Sequence, residues 1–260
     1  MSEREEMLAR LDLAMGAGEF ELFFQPQYDA RGGRPIGLES LLRWRHPERG
    51  LVPPVVFLAM CEDSGLILPL GRWMLSEVRA YRARLVEADW AGVGISVNIS
   101  EAQFQDGELV DYLQRMLAEE GALPPNALEL EVQESLVMKD PDEAIRILSA
   151  VRALGVRVAI DNFGTGYASM AALQRIPADK IKLDGSVVQN VDTDANSAAI
   201  CRSILSLAHS LKLPVIAQGV ERMEQFEWLR ANDVDGLQGY LFARPAPFDD
   251  MLRGLGPLPV

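Results

Sequence analysis

Polar and apolar positions alternate along this chain in two rhythms, one helical and one strand-like, and the two take turns. Met7, Leu8, Leu11 and Met15 recur at helical spacing, which predicts a helix over residues 3–18. Residues 21–30 and 35–44 are strand-like runs joined through Arg31-Gly32-Gly33, a hairpin signal. Six further apolar or β-branched runs, at 94–100, 127–133, 156–161, 179–184, 214–219 and 236–242, look like buried strands. Between them, residues 70–88, 107–120, 141–154, 193–211 and 222–232 have helical character. Eight strands, six of them in βα order after an opening hairpin, predict an α/β fold: a modified TIM-like (β/α)8 barrel with one antiparallel strand. Residues 19–260 then form one barrel domain, and residues 1–18 a helix suited to connecting it to an upstream domain.

Polar residues stand at the C-terminal edge of one strand-like run after another. Glu39 lies toward the end of the second run, Asn98, Glu131 and Asp161 end the next three, and Lys182 with Asp184 and Gln218 with Glu221 follow. Any one of these reads most simply as a helix cap, a turn residue or a rim salt bridge. Their recurrence at strand exits argues instead for a shared barrel mouth, where side chains distant in sequence converge on one ligand. Glu39, Asn98, Glu131 and Asp161 offer three negative charges and a neutral oxygen, a fair oxygen shell for Mg²⁺ or Mn²⁺. Lys182 supplies a cation for a phosphate or a metal-bound hydroxide. Asp161 also opens a glycine turn, residues 161–167, whose amides can face an anion.

Composition narrows the classes. A chain of 260 residues with 48% hydrophobic content can bury one large core. A formal charge of −13 argues against binding polymeric nucleic acid, and no apolar run is long enough to contact a membrane by crossing it. Cys61 and Cys201, far apart in helix-like segments, suit buried thiols in a reducing cytoplasm. His209 reads as a packed or solvated helix residue. For His46, before Pro47, a turn role and a ligand contact compete evenly. Trp73, Trp90 and Trp228 read as helix-face core.

Ordered blocks from about Glu19 to Pro245 resemble the EAL-domain phosphodiesterases of bacterial cyclic di-GMP signalling. They include Phe24-Gln25-Pro26, Glu39-Ser40-Leu41-Leu42-Arg43-Trp44, Val97-Asn98-Ile99-Ser100, Glu131-Val132-Gln133-Glu134, Asp161-Asn162-Phe163-Gly164-Thr165-Gly166-Tyr167, Lys182-Leu183-Asp184, Gln218-Gly219-Val220-Glu221 and Gln238-Gly239-Tyr240. By position, the resemblance implies that Glu39, Asn98, Glu131 and Asp161 ligate a first metal. Lys182 would lie near the attacked phosphate, and Arg43 would hold a phosphate oxygen. Gln25, Leu41, Asp184, Glu221 and Gln238 would line the dinucleotide and metal site, with Glu134 bracing the glycine turn. The family reaction opens one phosphodiester of cyclic di-GMP to linear pGpG with a metal-activated water.

The departures from that pattern decide the functional expectation. Ser40 replaces the middle alanine of the name-giving motif, a small change expected to be harmless, and Gln133 replaces a threonine beside the Glu134 brace. Asn162 stands where the family has an aspartate for a second metal. Gln218 stands where it has a glutamate near that metal or the nucleophilic water. Each swap keeps shape and removes one negative charge, and an amide cannot act as a base. Losing a general base typically costs about 10²–10⁴ in rate. The chain is therefore expected to bind cyclic di-GMP with weak or no hydrolysis, holding one Mg²⁺ or Mn²⁺ and a second only weakly. The alternatives are an active phosphodiesterase and an interaction module that has lost the ligand. The resemblance leaves open a homodimer and an upstream sensory or cyclase-like domain in a longer protein.

Overall fold

The computed structural model describes residues 3–118, 123–166 and 170–258. After α1 (Glu3–Ala14), strands β1 (Phe20–Asp29) and β2 (Pro35–His46) form the expected antiparallel hairpin. Its turn is fixed by Gly33 at φ +64 and by Asp29 Oδ1, which accepts from the amide of Arg31 at 3.1 Å. A short β3 (Gly50–Val52) doubles back on β2. The chain then runs through α2 (Pro54–Ser64), α3 (Ile67–Glu87), β4 (Gly94–Ile99), α4 (Glu101–Gln105), α5 (Leu109–Ala118), β5 (Leu128–Gln133), α6 (Glu134–Lys139) and α7 (Pro141–Ala153). It continues as β6 (Arg157–Phe163), α8 (Met170–Leu173), β7 (Lys180–Leu183), α9 (Gly185–Val188), α10 (Ala195–Ser210), β8 (Val215–Ala217), α11 (Met223–Ala231), β9 (Gly236–Leu237), β10 (Ala246–Pro247) and α12 (Phe248–Gly254).

β2, β4, β5, β6, β7, β8 and β9 are parallel neighbours in that order, and β1 pairs antiparallel with both β2 and β9. Eight strands thus close a barrel with β1 as its one antiparallel member. β3 and β10 lie outside the ring, on β2 and β1. Helix starts follow capping chemistry: Asp140, before Pro141, accepts from the Glu143 amide, and Asp194 from Ser197 at 2.7 Å. Ser100 and Gln103 form a reciprocal capping box at α4.

Several boundaries differ from the sequence expectation. α2, the helix-like segment that holds Cys61, had no bounds in the sequence pattern, because its buried face (Phe57, Met60, Cys61) sits among exposed valines and blurs the helical rhythm. Its signals are the prolines at 53 and 54 and the left-handed Gly65 that ends it. β8 and β9 are shorter than the runs they lie in. Gly219 turns at φ +68, and Gly239 packs so tightly on Val220 that a Cβ there would fall 2.0 Å from the Val220 carbonyl oxygen. Trp90 lies in the loop after α3 rather than on a helix, packed against the core with Trp73 and Trp228. The end of the helix expected over 107–120 and Tyr167 of the glycine turn lie outside the described residues.

Candidate functional site at the barrel mouth

Strand alternation sends every second side chain inward, and two polar layers fill the barrel where large aliphatics usually pack. The upper layer contains Gln25, Glu39, Asn98 and Glu131 from β1, β2, β4 and β5. Asp161 and Lys182 come from β6 and β7, and Gln218 and Gln238 directly follow β8 and β9. Two residues earlier on three of these strands, or two later on antiparallel β1, lies a lower layer that includes Gln27, Ser96, Glu129 and Lys180. Its Lys180 pairs with Glu129 at 3.0 Å and donates to Gln27 at 3.4 Å.

Lys182 is the hub of the upper layer. It is fully buried, with Nζ 2.9 Å from Glu39 Oε2, 2.5 Å from Glu131 Oε2 and 3.6 Å from Asp161 Oδ1. Asn98 donates to Glu39 Oε1 at 2.8 Å, and Gln238 Nε2 donates to Glu39 Oε2 at 2.7 Å and to Gln25 Oε1 at 3.1 Å. Gln25 in turn donates to the Ala243 carbonyl at 2.9 Å. The Gln218 side chain faces Asp161 and favours its charged form. Among the described residues Asp161 Oδ1, although buried, has no hydrogen-bond partner.

Three carboxylates around one ammonium cannot all ionise with equal ease. Burial raises Glu39, but Lys182 and the donors Asn98 and Gln238 outweigh it and leave that acid below its ordinary range. Burial first, then the neighbouring Glu39 charge, pushes Glu131 well up, and burial raises Asp161. Burial works against the Lys182 cation, yet Glu131, Glu39 and Asp161 together lift its pKa well above the usual value.

The remaining candidate positions do not join this network. β2 runs on to His46, so Glu39 is mid-strand; it nevertheless sits at the end of the parallel ladder, which joins β2 to β4 only over Gly37–Ser40. Asn162 occupies an irregularity in the β6–β7 register with φ +54, and its side chain bonds no described residue. Asparagine is among the few side chains that accept that backbone readily. Asp184 Oδ1 is taken by the Ser186 amide at 2.8 Å, as the cap of α9. Glu221 projects into solvent, and its backbone amide donates to Gln225. Leu41 and Arg43 are half-buried on the rim, with the Arg43 guanidinium 5.4 Å from the Phe23 ring centre.

Glu134 Oε2 accepts from the Gly164 amide at 2.8 Å, so that amide already faces an anion of its own chain. Ser40 is buried and its hydroxyl donates to the Ser96 carbonyl at 2.7 Å, a satisfied position. His46 Nδ1 accepts from the amides of Glu48 and Arg49, which settles the turn role, and His209 pairs with Asp235 at 2.9 Å. Cys61 and Cys201 are buried and free, and burial pushes both thiols up to about 11. The sequence reading passed over Gln27, which donates to Glu131 Oε1 at 3.5 Å, and the Lys180–Glu129 pair. Their two-residue offset from Gln25, Lys182 and Glu131 was the available signal.

Beside the network, a cavity of about 740 Å³ opens between β2, β4 and the helices α2 to α4, lined in part by Ser40, Leu41, Asn98, Met74 and Gln133. It touches the network only at Asn98; the acids themselves are closed off beneath the mouth. Among the described residues no three His, Cys, Asp or Glu side chains are arranged to hold a metal ion. The carboxylates are drawn in around Lys182 instead.

The family model described as the EAL domain matches residues 8–245. The chain belongs to the EAL-domain family. This EAL domain is 38% identical over 253 residues to the bifunctional diguanylate cyclase/cyclic di-GMP phosphodiesterase MucR of Pseudomonas aeruginosa, covering 97% of this chain and 37% of that protein. It is 37% identical over 238 residues to the cyclic di-GMP phosphodiesterase PdeR of Escherichia coli, covering 90% and 35%. The solved PaMucR phosphodiesterase in complex with c-di-GMP superposes with a TM-score of 0.91 at 38% identity, covering 95% of this chain and 99% of that one. The FimX EAL domain from Pseudomonas aeruginosa bound to c-di-GMP gives 0.84 at 26% identity, covering 93% and 96%. The chain spans about a third of the length of these two curated relatives. Among the described residues no helix is long and apolar enough to cross a membrane.

Proposed function

We propose that this EAL domain binds cyclic di-GMP at the barrel mouth and hydrolyses it slowly or not at all, as one unit of a longer bacterial signalling protein. The observation that carries the reading is the amide that faces Asp161 from 218, the position at which the family has a carboxylate. Where the family pattern has a proton acceptor, this chain has an amide, which cannot take up a proton at neutral pH. An amide at 162 likewise offers a weaker ligand than a carboxylate to a hard cation.

The donor set suits a divalent cation. It is all oxygen, it carries three acids, and the buried Asp161 Oδ1 has no hydrogen-bond partner among the described residues. Glu39, Asn98, Glu131 and Asp161 would hold Mg²⁺ or Mn²⁺, with Asn162 a poor contributor to a second position. A bound cation supplies Lewis acidity and lowers the pKa of water. The chain's own groups do the rest. Lys182 places positive charge under a phosphate, Gln238 and Gln25 fix the orientation of Glu39, and Arg43 offers a guanidinium to a phosphate oxygen. The cavity beside Leu41 and Asn98 is within the size range of small-ligand sites.

Calorimetric titration with cyclic di-GMP, with and without Mg²⁺, tests the reading. Micromolar or tighter binding without turnover supports it. Binding with rapid conversion to pGpG replaces it with the active phosphodiesterase. No binding at about 100 µM, the weak end of specific affinity, leaves an interaction module.

A further inference from the structure

We propose that Gln27, braced from below by Lys180, is a positioning residue for the cation site, holding the Glu131 carboxylate in the bearing that a divalent ion needs. This rests on the reading above that Glu39, Asn98, Glu131 and Asp161 hold Mg²⁺ or Mn²⁺, and it adds two residues one layer beneath that set. Gln27 is 1% exposed, and its amide makes two hydrogen bonds to described residues. Nε2 donates to Glu131 Oε1 at 3.5 Å, and Oε1 accepts from Lys180 Nζ at 3.4 Å. Lys180 in turn pairs with Glu129 at 3.0 Å. Glu131 is thereby gripped on both oxygens, since its Oε2 takes the 2.5 Å bond from Lys182.

Charge settles which way the amide points. Turned over, it would aim its NH₂ at an ammonium and its carbonyl oxygen at a carboxylate, so one orientation alone satisfies both neighbours. Lys180 therefore decides which end of Gln27 meets Glu131. Room for the side chain comes from Gly37, its partner across the hairpin, where a Cβ would fall 3.0 Å from Gln27 Oε1. Branched aliphatic side chains usually fill this level of a barrel, and burying an amide with an ion pair there costs free energy. At 3.4 and 3.5 Å the two amide bonds are long and return little of that cost, so stability does not account for the arrangement. Fixing a carboxylate does. Groups that orient a metal's ligands typically carry about 10- to 100-fold in metal affinity.

The test is a double-mutant cycle read as Mn²⁺ dissociation constants, from the paramagnetic resonance signal of the free ion, on the parent, Gln27→Met, Lys180→Met and the double variant. Gln27→Met keeps volume and charge and is expected to weaken Mn²⁺ roughly 10- to 100-fold. Lys180→Met gives a result of decisive sign. Removing a nearby cation should by Coulomb attraction alone tighten Mn²⁺, whereas loss of the brace weakens it in the parent and no longer does so once Gln27 is methionine. Lys180→Arg, which keeps the cation, should stay closer to the parent than Lys180→Met. Should Gln27→Met not fold, Gln27→Asn, which keeps the amide but shortens its reach, carries the same expectation. A parent that binds Mn²⁺ while the Gln27 variants bind it equally well, or a Lys180→Met that binds it more tightly, overturns the positioning role and leaves the cation reading standing. A parent that binds no Mn²⁺ overturns both.

Discussion

Replacing Lys182 by methionine should be the most costly single change to the polar interior, and the cost should depend on pH. The ammonium is fully buried, 2.9 Å and 2.5 Å from the carboxylates of Glu39 and Glu131, with Asp161 at 3.6 Å. Methionine keeps most of the volume and removes the only cation in this layer. Truncating one partner of a buried ion network typically costs about 3–5 kcal/mol, because the other charges stay buried and unpaired. In a domain of this size each kcal/mol moves Tm by about 2–4 °C, so the variant should melt roughly 6–20 °C lower near neutral pH. The pH dependence has a definite sign. Without Lys182 the acids have folded pKa values above their unfolded ones, so folding takes up protons. The deficit should therefore shrink as pH falls from neutral toward the ordinary carboxylate range. Mn²⁺ should also restore part of the loss, since a divalent cation replaces the missing charge. Urea unfolding at pH 7.5 and 5.5, with and without Mn²⁺, reads all three effects. An equal loss at both pH values would assign the cost to packing, and a loss below about 1 kcal/mol would show that the acids do not depend on Lys182.

Gly239→Ala should destabilise by several kcal/mol or prevent folding, since its Cβ would sit 2.0 Å from the Val220 carbonyl oxygen; denaturant melts decide this. Glu134→Ala should speed hydrogen exchange at Gly164 and cost about 1–3 kcal/mol, because the turn amide loses a charged acceptor. Unchanged exchange there would remove Glu134 as the brace. Mn²⁺ binding should release protons and tighten as pH rises, because burial holds Glu131 and Asp161 above their ordinary pKa and a cation favours their ionised forms. Titrations in buffers of different ionisation enthalpy measure that release, and proton uptake would contradict it.

Much of this barrel was written in the strand rhythm. Polar residues at the ends of apolar runs could be read as mouth-facing, and Glu39, Asn98, Glu131, Asp161 and Lys182 do meet there. The lower layer was less legible, because Glu129 and Lys180 lie inside strands, where the same alternation needed to be followed two residues back. Asp184 and Glu221 follow strand ends, but local backbone chemistry decides their direction: one caps α9 and the other points to solvent. The sequence also showed two amides without showing their surroundings. Asn162 adopts a left-handed backbone, which gives asparagine a conformational reason to be there as well as a chemical one. Gln218 favours the charged form of Asp161, which the negative charge of a glutamate there would disfavour.

The most direct test of impaired catalysis is single-turnover conversion of cyclic di-GMP to pGpG in Mn²⁺, comparing the parent with Asn162→Asp, Gln218→Glu and the double variant. Binding is measured in parallel on each. The parent should bind but convert little, each single variant should recover part of the rate, and the double variant should gain roughly 10²-fold or more. A parent turning over at an ordinary ~1–10³ s⁻¹, or a double variant that binds and stays inert, would contradict the assignment of the defect to these two amides.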